Sequence, residues 1–307
     1  MLTYTKMNNT RRGFIKTSAM ALAGTTLFSK TGFSVPLLKK KTTLAVQLYC
    51  VRNEMQEDPL GSLGKLAEMG YTSIEHANYV DHKFYGWNAK EFKKVLEDFG
   101  LKIPSGHTVL RKNHWNETRE DFNDEWKRLI DDAAYIGQDY VISPYMEGEV
   151  HSTYDNFMGF MEIFNRSGEL CRKYGMKFGY HNHDFEFSKL LNGTTLWDLI
   201  MDYTDTDKVV MQLDMGNMFK AGAKAEDVLT RHPGRYDNIH VKNMLLSENG
   251  EYESCVLGKG LIDVKKTIDL ARDQGTTLFI IEQESYQGKT PMERMKENLD
   301  IMRTWGY

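Results

Sequence analysis

The chain has 307 residues, enough for one large core or for a barrel of about 250 residues with an N-terminal extension. Its 39 basic and 43 acidic residues give a formal net charge of −4, so neither a nucleic-acid-binding basic block nor an acidic disordered tail is indicated. The three cysteines, Cys50, Cys171 and Cys255, are far apart and form no CxxC pair, which argues against a disulfide framework or a cysteine-built zinc knot.

Residues 10–16 read Thr-Arg-Arg-Gly-Phe-Ile-Lys and resemble a twin-arginine export signal. Ala19–Phe28 follow as a short, mildly apolar stretch, too short for a stable membrane span. Residues 1–41 are therefore expected to be a signal peptide and linker, directing the chain to the periplasm. The folded domain is expected to occupy residues 42–307.

From Thr42 onward, β-rich runs alternate with longer amphipathic ones. Strands are expected at Leu44–Tyr49, Thr72–His76, Lys102–His107, Tyr140–Ser143, Lys177–His181, Val209–Leu213, Asn238–Val241 and Thr277–Ile281. Helices are expected at Pro59–Met69, Asn88–Phe99, Asn116–Ile136, Thr153–Tyr174, Thr195–Tyr203, Ala225–Arg231, Ile262–Gln274 and Pro291–Trp305. Gly70, Gly100, Gly137 and Gly175 punctuate helix ends, where a left-handed cap lets the chain turn back. Repeated strand–helix units imply a parallel sheet with right-handed crossovers, and eight of them imply a closed (β/α)₈ TIM barrel. No GxGxxG follows the first strand, which argues against a dinucleotide fold.

Barrel active sites lie at the C-terminal ends of the strands. Here those ends carry Gln47 and Tyr49, Glu75-His76, His107, Tyr145 and Glu147, His181-Asn182-His183, Asp214 to Asn217, His240-Val241-Lys242, and Glu282-Gln283-Glu284. So many ionisable groups at one end of a core would be costly without a ligand. His181, Asp214, His240 and Glu282 offer two imidazoles and two carboxylates, a mixed set suited to Mn²⁺, Co²⁺, Zn²⁺ or Fe²⁺. Four protein ligands leave room for substrate only above four-coordination, which favours Mn²⁺ or Co²⁺ over a closed zinc site. Strict alternation is expected to turn Asn182, Lys242 and Gln283 away from this set. Glu147 and His183 are candidate general bases, with Glu284 third and also a candidate substrate contact. Lys242 is a candidate partner for a substrate hydroxyl, and Tyr49, Trp87, Trp115 and Tyr145 are candidates for a sugar-stacking wall.

At these residues the chain resembles the xylose isomerase-like barrel superfamily of sugar phosphate isomerases and epimerases. The resemblance rests on Tyr-His-Asn-His (180–183), Leu-Asp-Met-Gly-Asn (213–217), His-Val-Lys-Asn (240–243), Leu-Gly-Lys-Gly-Leu-Ile-Asp (257–263) and Ile-Glu-Gln-Glu (281–284). It implies a metal set on strands five to eight. Asp214, His240 and Glu282 match that set, while His181 stands where many members carry glutamate. It also implies substrate contact at His107. The family's Asp-x-x-His pair reads Asp214-x-x-Asn217 here, which makes Asn217 a substrate-binding candidate.

Both departures point away from ordinary ketose epimerisation and toward members that cleave 3-keto-glycosides. In such a substrate, loss of the proton beside the ketone is followed by elimination of the aglycone. The alternative is isomerisation or epimerisation of a free ketose. Two further readings are a solute-binding barrel without catalysis, opposed by the matched metal positions, and an endonuclease-like barrel, opposed by the charge and the signal. A small carbohydrate is the expected partner, nucleic acid is not, and self-association stays open.

Overall fold

A computed structural model describes residues 41–307; the expected signal peptide lies outside them. Eight parallel strands close into a barrel: β1 (Thr43–Gln47), β2 (Ser73–His76), β3 (Lys102–His107), β4 (Tyr140–Ser143), β5 (Lys177–His181), β6 (Val209–Asp214), β7 (Asn238–Val241) and β8 (Leu278–Ile281). Each pairs with its neighbours in chain order, and β8 closes on β1 with Val46 opposite Ile281. The helices α1 (Pro59–Met69), α2 (Ala89–Asp98), α3 (Asp124–Ile136), α4 (Tyr154–Lys173), α5 (Leu196–Tyr203), α6 (Ala225–Arg231), α7 (Val264–Asp273) and α8 (Pro291–Thr304) follow the strands in turn. The chain is thus a (β/α)₈ TIM barrel, with strands buried on both faces as this architecture requires.

Local sequence explains most of the boundaries. Asn88 and Glu91 form a reciprocal capping box at the start of α2, as do Thr290 and Glu293 at α8. Gly70 and Gly137 close α1 and α3 at φ of 99° and 91°, a region that favours glycine. One expected helix is shorter than its sequence suggests. Residues 116–123 instead form a small hairpin pairing Trp115–Asn116 with Asp121–Phe122. The Asn123 side chain then caps α3 by accepting the Trp126 N–H.

The first strand also stops early. Gln47 Oε1 accepts the Tyr49 N–H, and Leu48–Val51 turn as a short 3₁₀ helix that leaves Tyr49 exposed. The other insertions again follow strand C-termini: Phe185–Ser188, a Leu190–Leu191/Thr194–Thr195 hairpin, Met215–Lys220, and a hairpin of Asn243–Leu246 with Tyr252–Cys255. Inside the barrel, Ala45, Leu278 and Ile280 form a small apolar cluster with Tyr140. By strand alternation they lie below the polar residues Gln47, His240 and Glu282 on the same face. Among the described residues, no helix is long and apolar enough to cross a membrane.

Candidate active site

His181, Asp214, His240 and Glu282 converge, with one ligand-capable atom from each within 4.8 Å of all the others. All four are buried. His240 Nδ1 stands 2.7 Å from Glu282 Oε2 and 4.0 Å from Asp214 Oδ2, and His181 Nε2 lies 3.9 Å from the same Asp214 oxygen. Register puts Asp214 beside His240 and His181 beside Gln212, so adjacent strands deliver the group.

The orientation of both imidazoles is set from below. Glu75 accepts His240 Nε2–H at 2.6 Å and also takes hydrogen bonds from Gln47, Ser105 and Gln212 at 2.6, 2.5 and 2.7 Å. Gln212 Oε1 in turn accepts from His181 Nδ1 at 3.0 Å and from His107 Nε2 at 2.6 Å. With those nitrogens committed, His181 presents Nε2 and His240 presents Nδ1 to the cluster. Carboxylate and amide partners of this kind fix the tautomer of a metal-ligating histidine.

Electrostatics follow from this packing. Burial alone would raise the Glu75 carboxyl, but His107 and His240 hold it down at about 2. Burial would likewise strip the proton from His240, yet Glu282 and Glu75, one on each nitrogen, keep it up at about 10. That imidazole therefore sits where positive charge is strongly favoured, whether from a proton or from a cation on its Nδ1 side. His181 goes the other way: burial, then His240 and His107, push it well below the ordinary histidine range, leaving the neutral ring that ligates metals. Burial raises Asp214 to about 6 against the pull of Lys242.

The donor set fits a divalent metal on a further observation. Asp214 Oδ2 is buried and accepts no well-aligned hydrogen bond, although Lys242 Nζ stands 3.0 Å away. Its other oxygen accepts the Asn217 N–H at 2.6 Å, and Asn182 grips the Asp214 backbone from both sides. Asp214 is thus clamped with one oxygen aimed into the cluster.

Lys242 corrects one expectation. Its ammonium lies 3.0 Å from Asp214 Oδ2, 3.0 Å from Glu282 Oε2 and 2.8 Å from Glu284 Oε1. Two residues beyond His240, it shares that residue's face, so alternation brings it in. Asn182 and Gln283 do point elsewhere, to the Asp214 backbone and to Asn298.

A cavity of about 870 Å³ opens over the cluster and is lined by His107, His181, His183, Asn217, Lys242, Glu282 and Glu284 among others. His183 Nδ1 is buried without a hydrogen-bond partner among the described residues, and burial, then Lys242, lower its proton affinity. Glu147 is placed differently: half-exposed in the loop after β4, it pairs with Arg111 and does not line the cavity. Tyr49 and Tyr145 line it, whereas Trp87 stacks on Phe92 and Trp115 meets Phe122 edge-on. Sequence reasoning noted Gln47 and Glu75 at strand ends without giving them a role, and overlooked Gln212. Gln212 had a usable signal: it precedes Asp214 by two residues on the same strand face.

Residues 63–305 match the family model described as the xylose isomerase-like TIM barrel. An inosose dehydratase from Clostridium perfringens is 24% identical over 193 residues, covering 59% of this chain and 62% of that protein. The matched region thus spans less than two thirds of that relative. An inosose dehydratase from Geobacillus thermodenitrificans is 24% identical over 250 residues, 72% of this chain and 80% of its own. A crystal structure described as a sugar phosphate isomerase/epimerase from Parabacteroides distasonis is 25% identical with a TM-score of 0.75, covering 88% of this chain and 96% of that one.

Proposed function

The chain belongs to the xylose isomerase-like TIM-barrel family, and we propose that it is a metal-dependent sugar lyase that cleaves 3-keto-glycosides by elimination. The observation that carries this reading is the convergence of His181, Asp214, His240 and Glu282, with His181 and Glu282 lining one large cavity. A divalent transition metal (Mn²⁺, Co²⁺ or Zn²⁺) held there would act as a Lewis acid toward a ketone oxygen and its neighbouring hydroxyl.

The chain's own residues account for the rest. His183, neutral and lining the cavity, accepts the C2 proton acidified by the C3 ketone. The C2–H bond breaks, a C1–C2 double bond forms, and the C1–O bond to the aglycone breaks. The departing alkoxide gains one proton, so the products are an alcohol and an unsaturated keto sugar, with no net oxidation. Lys242, charged and anchored by three carboxylates, offers N–H donors to substrate hydroxyls from the same wall. Asn217 and His107 line the cavity as further contacts. Two relatives are named as dehydratases; loss of water is the same reaction class with a different leaving group. Histidine at position 181 further supports a departure from glutamate-based epimerisation.

A second reading is isomerisation or epimerisation of a free ketose, favoured by the likeness to the Parabacteroides protein. A substrate screen with added Mn²⁺, Co²⁺ or Zn²⁺ separates the two. Release of alcohol from methyl 3-keto-glucoside supports the lyase. Interconversion of free ketoses without such release supports the alternative.

A further inference from the structure

Beside the main cavity runs a second groove of about 540 Å³, and the two share Tyr49, Ala77 and Asn78. We propose that this groove is a subsite for a second sugar ring, so that the leaving group of the preferred substrate is itself a carbohydrate. The inference rests on the glycoside-cleaving reading given above.

Three observations carry it. First, the groove has no His, Cys, Asp or Glu among the described residues that line it, so the chemistry stays in the main cavity and the groove is left to bind. Second, its chemistry is divided in the way a pyranose is. Pro59 and the Tyr85 ring, both partly exposed, supply apolar surface for C–H faces, while the exposed amides of Asn53, Gln56 and Asn78 each offer a donor and an acceptor for hydroxyls. Third, the boundary between the two cavities is built in advance. Tyr49 is 43% exposed, yet the Arg52 guanidinium lies over its ring at 4.5 Å and bonds its carbonyl. A locked, exposed ring at the junction binds without the entropy loss of ordering a loose side chain.

The same contacts argue against an anionic leaving group. Among the described residues, Arg52 is the groove's one cationic side chain, and it is already bonded to Tyr49 O and Tyr286 Oη.

The test uses the metal-supplemented full chain and the Asn53→Ala/Gln56→Ala double variant, whose two positions line only the groove. Kinetics are compared on methyl 3-keto-glucoside and on a 3-keto-disaccharide of two glucose units. Binding of cellobiose and of methyl glucoside is followed calorimetrically. Loss of two hydrogen bonds predicts a rise of about tenfold in KM for the keto-disaccharide and in Kd for cellobiose. Values for the methyl compounds should stay within about twofold. Equal effects on both classes of ligand, or none on the disaccharides, overturn the subsite. If the wild-type chain releases no methanol from methyl 3-keto-glucoside, the lyase reading fails, and cellobiose binding still decides the subsite. Gln56→Ala alone repeats the comparison if the double variant does not fold.

Discussion

His240 sits between two carboxylates, and the rest of the cluster is arranged around that fact. Glu75 takes its Nε2–H, which commits Nδ1 to the side of Asp214 and Glu282. Replacing Glu75 with Gln removes the acceptor charge beneath the imidazole and should weaken metal binding by roughly 10–100-fold. Competition with a chromogenic chelator reads this directly, and unchanged affinity would show that Glu75 serves only the barrel interior. His183→Ala should behave differently. Loss of a general base lowers turnover by roughly 10²–10⁴-fold, while metal content, measured by mass spectrometry, should remain that of the wild type. Loss of metal in this variant would make His183 a ligand and remove its role as base.

Among single residues, those on one strand near the cluster were legible and those that reach across the barrel were not. His181, Asp214, His240 and Glu282 each lie at or beside the C-terminal end of a strand, so their convergence follows from topology alone. Glu75 and His240 are 165 residues apart and Glu75 and Gln212 are 137 apart; no local pattern encodes those contacts. Lys242 is the instructive error, because period-two counting from His240 places it inside.

At the level of elements, glycine stops and polar caps carry the boundaries. Asn88→Ala breaks the capping box of α2 and should destabilise the barrel by about 1 kcal/mol. In thermal unfolding this is a loss of roughly 2–4 °C, and no change would mean that α2 is held by packing alone. Where the expected helix at 116–136 began too early, the cause was a side chain outcompeting propensity: Asn123 caps at residue 124.

The short helix after β5 makes a pH prediction. Glu186 is fully buried, accepting from Tyr180 Oη and from the His183 N–H. Burial raises its carboxyl to about 7, although both hydrogen bonds oppose this. The native state therefore keeps a proton that the unfolded chain has lost above about 4.3. Its contribution to stability is complete below that value and disappears as pH rises through 7. Relative to Glu186→Gln, the wild type should lose roughly 2.5 kcal/mol between pH 5 and pH 8. Denaturant unfolding at both pH values measures it, and parallel pH profiles would contradict it.

On the scale of the whole molecule, eight strand–helix units place every insertion at strand C-termini, which is why one mouth gathers all the chemistry. The eightfold rhythm was readable because each unit carries its own stop. The exit of Tyr49 was not, since it depends on Gln47 turning the chain after β1. The proposed export makes its own prediction. Arg11→Lys/Arg12→Lys should leave the protein in the cytoplasmic fraction, and undiminished periplasmic recovery would rule out the twin-arginine route.

The central claim is that His181, Asp214, His240 and Glu282 hold a metal that drives elimination. The most direct measurement is proton NMR of methyl 3-keto-glucoside incubated with the metal-loaded chain, the chelator-treated chain and Asp214→Ala. The account predicts methanol and an unsaturated keto sugar from the loaded chain alone, with chelated and variant proteins inactive and the variant low in metal. Undiminished methanol release after chelation, or from Asp214→Ala, would contradict it.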